Sequence, residues 1–258
     1  MWRRAVCWFA LGLASVWGVP ALAQTRAHFT VCSHNLPPHT YQAPNGSPAG
    51  LASEVLLQVA KRLQWDVTVN YSTWMRARAD AESGRCDLIY TLLKKPEYEE
   101  FVVYPATGLA DRVNVLLTKK SQAIRYDGDL EVFMRRHSIG LYKDKVVSPL
   151  FDQLKAQAWA RVDEPVQAES VMKMLLAGRF DAAIENKATA IAELRRLGAL
   201  DQVEMLSPPL SVTPAYIGFC KKGRALAMLD DFNRELKDFK ATAEYKALIA
   251  RYESASAL

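Results

Sequence analysis

The sequence has no low-complexity tract and no long run of one charge, so disorder is not expected beyond the termini. It also lacks Gly-x-Ser-x-Gly, a phosphate-binding glycine-rich loop ending in Gly-Lys-Ser/Thr, and His-Glu-x-x-His. Those absences remove the usual signatures of serine hydrolases, nucleotide hydrolases and zinc proteases. The charge imbalance is small, 33 basic against 28 acidic residues for a net +5, and it gives no argument for nucleic acid. Cysteine is scarce, with four in 258 residues. What is present is the composition of a globular protein: 50% hydrophobic and 24% charged, enough for one large or two modest domains.

The first 23 residues stand apart. Arg3 and Arg4 precede the apolar run "AVCWFALGLASVWGVPA", and "ALA" before Gln24 fits a small-x-small cleavage site. This reads as a secretory signal peptide cut after Ala23, with an uncleaved anchor as the alternative. Secretion implies an oxidising compartment, and Cys7 would leave with the leader. Cys32, Cys86 and Cys220 then allow at most one internal disulfide. Cys32 and Cys86 fall in apolar strands, so the preferred reading is burial as small hydrophobes. "CSHNLPPH" brings Cys32, His34 and His39 together, but the spacing matches no familiar zinc pattern and the two prolines indicate a loop. No metal or other cofactor is expected.

"HFTVCSH" is a strand, followed by the turn-rich "NLPPHTYQAPNGSPAG". Leu51, Val55, Leu56, Val59 and Leu63 recur at helical spacing. "DVTVNY" is a strand, "WMRARADAES" a short helix with Gly84 at its cap, and "CDLIYT" a third strand. The alternation predicts a doubly wound α/β unit with a parallel sheet. It recurs from "SIGLY" through "PLFDQLKAQAW" to "ESVMKMLLAGRFDAAIEN". "SGRCDLIY" and "AGRFDAAI" share Gly-Arg-x-Asp before an apolar run, so two similar lobes are expected. "VNVLL" (Val113–Leu117) and "SPPLSVTPAYIGFCKKG" read as outward and return crossings. Helical segments from Arg224 would pack back on the first lobe. The expected division is 24–115 for the first lobe, 116–211 for the second, and 212–258 for the return. Ligands of such sheets sit at the carboxyl ends of the strands, here between the lobes.

"GSPAGLASEVLLQVAKRL", "WMRARADAESGRCDLIYTLLKKPEYEEFVVYPA" and "LLAGRFDAAIEN" resemble the bacterial extracellular solute-binding proteins of family 3, the polar amino-acid-binding type served by ABC importers. The likeness runs from about His28 to Tyr252. It implies a type II periplasmic-binding fold: two lobes, each a mostly parallel sheet flanked by helices, joined by two hinge crossings and closing on a small polar solute. It also implies that the loop after "DLIYT" grips the ligand through Tyr90, Thr91, Leu93 and Lys94. Pro96 fits a first helical position, which would free the amides from Leu93 to Glu97 for an anionic group.

Two positions depart from the family. Tyr98 stands where amino-acid binders place an arginine for the ligand carboxylate. Asn186, after Glu185, stands where they place an aspartate for the ligand ammonium. A standard α-amino acid is therefore in question, with Lys94, Arg76 and Glu185 as substitutes. Tyr41 occupies the region where the family stacks an aromatic on the ligand, and Trp74 and Arg76 resemble a cleft-facing Trp-x-Arg. Arg76 is the better candidate of the two, since a cation early in a helix opposes the dipole and suits an anionic neighbour. Tyr142 and Ser148 flank the corresponding loop of the second lobe, although Ser148 also suits an N-cap. Glu54 reads as structural.

The expected function is capture of a small polar or charged solute, amino-acid-like or an organic acid, in the periplasm. Delivery would be to a membrane ABC permease, by a monomer that binds no nucleic acid and catalyses nothing. The alternatives are an accessory or sensor protein of the same fold, or a dehydratase-like enzyme using Glu185.

Overall fold

The computed structural model describes residues 26–143 and 145–253. The signal-peptide reading falls on residues outside this range. The first lobe runs β1 (His28–His34), the short hairpin strands β2 (Tyr41–Gln42) and β3 (Pro48–Ala49), α1 (Leu51–Arg62), β4 (Asp66–Ser72), α2 (Trp74–Ser83), β5 (Leu88–Leu92), the one-turn α3 (Pro96–Glu99) and β6 (Val102–Val103). Strand β7 (Ala110–Lys119) crosses to the second lobe. There follow α4 (Leu130–Arg136), β8 (Ile139–Gly140), α5 (Pro149–Lys155), β9 (Val162–Asp163), α6 (Ala168–Leu176), β10 (Ala182–Asn186), α7 (Lys187–Arg196) and β11 (Val203–Met205). Strand β12 (Ser211–Cys220) returns, followed by α8 (Leu229–Ala241) and α9 (Ala243–Glu253).

In the first lobe β1 lies between β4 and β5, parallel to both, and β12 adds antiparallel to β5. In the second, β10 pairs parallel with β8, β8 with β9, and β7 joins antiparallel. The lobes share an antiparallel ribbon, in which Ala110–Asn114 of β7 face Ala215–Ser211 of β12, and α9 of the first also packs on α7 of the second. Each of these strands then changes partner. Beyond Asn114, β7 pairs with β10; beyond Ala215, β12 pairs with β5, with a register shift between Tyr216 and Ile217. Both crossings are thus single strands shared by the two sheets, three residues longer at the start of β7 than the sequence pattern marked.

Period-two alternation in β1 and the start of β5 sends Val31, Leu88 and Tyr90 to one face and Cys32 and Ile89 to the other; past the register shift with β12, Leu92 joins the second group. The first face takes Leu51, Val55, Leu56 and Val59 of α1, and α8 covers them with Phe232, Leu236 and Phe239. Each such buried side chain contributes about 1.5–3 kcal/mol of transfer free energy. Glu54 links α1 to α9, accepting from Arg251 at 2.6 Å and from the Tyr252 hydroxyl, which is the structural role read from the sequence. The second-lobe sheet is apolar on both faces, with Leu116 and Ile184 on one and Leu117 and Ala183 on the other.

The repeated Gly-Arg-x-Asp does the same work twice. Gly84 and Gly178 take φ of +82° and +73° at the helix ends, which side-chain-bearing residues rarely adopt. Three residues later each aspartate ties down a neighbouring strand. Asp87 accepts from the Thr30 amide at 2.9 Å and the Arg224 amide at 2.8 Å. Asp181 accepts from the Ser138 amide and hydroxyl at 2.8 and 2.9 Å. Burial opposes ionisation of both, and these donors hold both carboxyls below the usual value.

The cysteine expectation needs correction. Cys32 and Cys86 are buried, as read, but they are joined in a disulfide across β1 and the entry to β5, with Cα atoms 5.8 Å apart. Adjacent parallel strands brought the two together, a proximity that separate apolar runs do not reveal. Cys32 is thereby unavailable to a metal with His34 and His39. Cys220 is a buried free thiol, pushed up to about 12 by desolvation. The bridge closes a loop with a sequence separation of 54. On chain-entropy grounds a loop of that size is stabilised by roughly 4 kcal/mol. A Cys32→Ala/Cys86→Ala double variant should therefore lose about 2–4 kcal/mol of unfolding free energy, read from urea denaturation; an unchanged midpoint would contradict it.

Candidate functional site

The loop after β1 is the first-lobe wall of the cleft, and a buried polar network fixes it. The Thr40 hydroxyl meets those of Ser33 at 3.2 Å and Ser53 at 3.1 Å. Ser53 reaches the Tyr90 hydroxyl at 2.9 Å, and Tyr71 joins at 3.3–3.4 Å. Burial raises the Tyr90 phenol well above its usual value, so it remains a neutral donor. Tyr90 was expected at the ligand. It is instead fully buried on the α1 face, because β5 alternation turns it into the core. Its part is to anchor, through Ser53 and Thr40, the loop that carries His39 and Tyr41.

That loop faces the second lobe across a cavity of about 520 Å³. Leu36, His39 and Tyr41 line one side; Tyr142, Lys145, Glu185 and Asn186 line the other; Arg112 of β7 lies at the hinge. Of the residues singled out in the sequence, the cavity therefore joins Tyr41, Tyr142, Glu185 and Asn186. Glu185 and Lys145 are a buried ion pair, 6% and 5% exposed. The Glu185 Oε1 also accepts from the Asn186 amide at 2.6 Å. Burial pulls the Lys145 ammonium below the ordinary lysine value, with Glu185 opposing that shift. Its Nζ lies 5.0 Å from the Tyr142 ring centroid.

Asn186 has a second task. Its Oδ1 accepts from the amides of Ala188 at 3.1 Å and Thr189 at 3.3 Å, capping α7. Across the cavity stands His39, 6% exposed. Burial first, and the Arg112 charge second, lower its pKa to about 4, while a hydrogen bond with the Asn186 side chain works the other way. No hydrogen bond to its Nε2 forms. His34 Nδ1 and Thr91 Oγ1 are likewise buried without a partner. His34 ends β1 and Thr91 is next to last in β5, so both sit toward the carboxyl end of the sheet. Of these three residues only His39 lines the cavity; His34 and Thr91, the latter expected at the ligand, lie outside its lining.

The remaining candidates are placed elsewhere. Tyr98 turns into the small core behind β5, its ring centroid 5.7 Å from Trp74 and 6.0 Å from Phe101. Trp74 is packed there too, edge-on to His34 at 5.4 Å. Arg76 is exposed and bonds Asp80 one turn along its own helix at 3.1 Å, which satisfies the charge that was expected to seek a ligand. Pro96 does open a helix, but of a single turn. The Leu93 carbonyl accepts from Tyr104 at 3.1 Å, and Lys94 lies over the rings of Tyr216 and Tyr104, at 4.7 and 5.7 Å. Ser148 caps α5, accepting from the Phe151 amide at 3.2 Å. None of these lines the cavity.

The sequence reading missed Arg112 and Lys145. Arg112 was hidden in a strand read for its apolar half; an arginine beside that run in a hinge strand was the available signal. Lys145 lies on an irregular segment after β8 that carries no periodicity. Among the described residues no group of three or more His, Cys, Asp or Glu is arranged to hold a metal.

The fold matches many solved structures. The second substrate binding domain of a putative amino acid ABC transporter from Streptococcus pneumoniae aligns at TM-score 0.73 and 13% identity, over 88% of this chain and 100% of that one. The L-cystine solute receptor of Neisseria gonorrhoeae, in its unliganded open conformation, aligns at 0.71 and 18%, over 89% and 93%. Substrate binding domain 2 of GlnP from Lactococcus lactis, also open, aligns at 0.71 and 16%, over 89% and 96%. At these identities the likeness establishes the type II periplasmic-binding fold alone. No curated protein matches the sequence. The model of the bacterial extracellular solute-binding proteins, family 3, matches residues 29–255. With the two lobes, the paired hinge strands and the cavity between them, that match settles the identity: the chain belongs to the bacterial extracellular solute-binding proteins, family 3.

Proposed function

We propose that this protein captures a small polar solute in the cavity between its lobes and delivers it to an ABC-type importer. The observation that carries the reading is the cavity itself, walled by polar groups of both lobes, among them His39 with its Nε2 unpartnered and Arg112 with no ion pair to a described residue. A buried polar atom without a partner costs about 1–3 kcal/mol, so a solute that satisfies it gains by the same amount. Contacts from both lobes favour the closed form, and the β7–β12 ribbon is the element about which the lobes would close. The Cys32–Cys86 disulfide supports an oxidising compartment such as the periplasm. No described helix is long and apolar enough to cross a membrane. A monomer suffices, since one chain supplies both walls. Glu185 is neutralised by Lys145, which supports binding over acid–base catalysis.

Three measurements test the reading. A solute carried through purification should be visible by native mass spectrometry, and the correct solute class at a hundred times Kd should add about 2.7 kcal/mol of stability. A protein that carries nothing and responds to no solute class would sink the proposal.

Tyr90→Phe should cost about 1 kcal/mol by removing the hydroxyl that meets Ser53, and should weaken capture several-fold as the loop loosens. Calorimetric titration showing full affinity would detach the network from the site.

His39 gives a pH dependence. Its folded pKa of about 4 lies below the usual 6.5, so the fold favours the neutral ring. That contribution is complete above pH 6.5 and is lost as pH falls toward 4, a decline of roughly 3 kcal/mol. The charged and polar groups facing the ring are Arg112, Lys145 and Asn186. His39→Gln should flatten melting temperature over this window; an unchanged slope would assign the loss to other groups.

A further inference from the structure

The charges around the cavity are unequally paired. Glu185, the buried acid of its wall, is already matched by Lys145 of the same chain, and its Oε1 takes the Asn186 amide as well. At the rim, Glu193 is held by Arg196 and Glu169 is exposed. Arg112 lies at the hinge end and forms no ion pair with any described residue, while its field acts on His34, His39 and Lys145. Lys145 is thus matched by Glu185 and Arg196 by Glu193, which leaves Arg112 as the lining cation with no ion pair among the described residues. A ligand ammonium placed near Glu185 would meet Lys145 at once, and the lining acid without an ion pair, Glu169, is exposed to solvent, which weakens its pull. An oxyanion at Arg112 would meet a guanidinium fork made for bidentate contact, and in the same lining the His39 ring, whose Nε2 has no partner.

We infer that the cavity takes a small organic anion with no ammonium group, its carboxylate or other oxyanion seated on Arg112, while Lys145 fills from within the place a ligand ammonium would need. This rests on the solute-binding reading above and narrows it. The salt bridge that binds an α-amino acid through its nitrogen is here made inside the protein. The ligand then contributes only negative charge and hydrogen-bonding groups, and Tyr41 and Tyr142 offer flat apolar surface to its carbon skeleton.

The experiment is isothermal titration of the mature chain with lactate, succinate and glutarate, each against its 2-amino counterpart, alanine, aspartate or glutamate. At least one acid should bind, and at least about tenfold tighter than its amino partner. Arg112→Gln, with circular dichroism to confirm folding, should weaken that acid by roughly tenfold or more. Lys145→Met, which leaves Glu185 unmatched, should narrow the gap in favour of the amino partner. Should that variant fail to fold, Lys145→Met/Glu185→Gln removes both charges together and should keep the preference for the acid through Arg112. An amino acid that binds the unaltered protein as well as its matched acid overturns the inference and leaves the solute-binding reading standing. Silence toward both series overturns the two together.

Discussion

The antiparallel ribbon of β7 and β12 is the constraint on which the architecture rests. Each strand pairs with its neighbour for five residues and then with a different sheet, so the two lobes share backbone without sharing a core. Their apolar clusters are separate, with Phe29, Val31 and Leu236 in one lobe and Phe151, Ile184 and Leu206 in the other. Each half is stabilised by its own burial, and the halves are joined by the ribbon and by the packing of α9 on α7. The same ribbon places Arg112 at the root of the cavity. A cation on a hinge strand is fixed by ladder hydrogen bonds rather than by a loop, which suits it to serve as the stationary part of a site whose walls move.

The walls themselves are supported unequally. On the first lobe, hydroxyls of Ser33, Thr40, Ser53, Tyr71 and Tyr90 hold the His39 loop from behind, so its geometry is set before any solute arrives. On the second, the Lys145–Glu185 pair spans an irregular segment and the end of β10. Buried ion pairs add little net stability, because desolvation offsets attraction, but they specify one arrangement of the groups around them. Here the pair fixes the second wall and also decides which charge the cavity presents.

The lobes were legible in the sequence for a physical reason. Helical spacing in α1 and period-two alternation in β1 and β5 follow from burial of one face, and Gly84 and Gly178 mark turns that few other residues tolerate. The repeated aspartate was legible as a pattern, though its work, tying Thr30 and Ser138 in place, needed coordinates. The site was less legible. Tyr90 and Tyr98 lie in the loop the resemblance pointed to, yet pleating and the one-turn helix bury both. Arg76 found its partner four residues away, a pairing the sequence already contained. Arg112, Lys145 and His39 meet only because three distant segments converge, and no local pattern encodes that. The disulfide is of the same kind, since it depends on which strands lie side by side.

Helix α9 has a bearing on how tightly the protein can hold its cargo. It packs on α1 of the first lobe and on α7 of the second, and Glu253 lies 4.0 Å from Lys187. The ligand cavity is lined by neither residue of that pair. The two lobes are therefore held together in part by a contact remote from the cavity. Evolution can retune retention and release there by altering the C-terminal helix, leaving the recognition chemistry untouched.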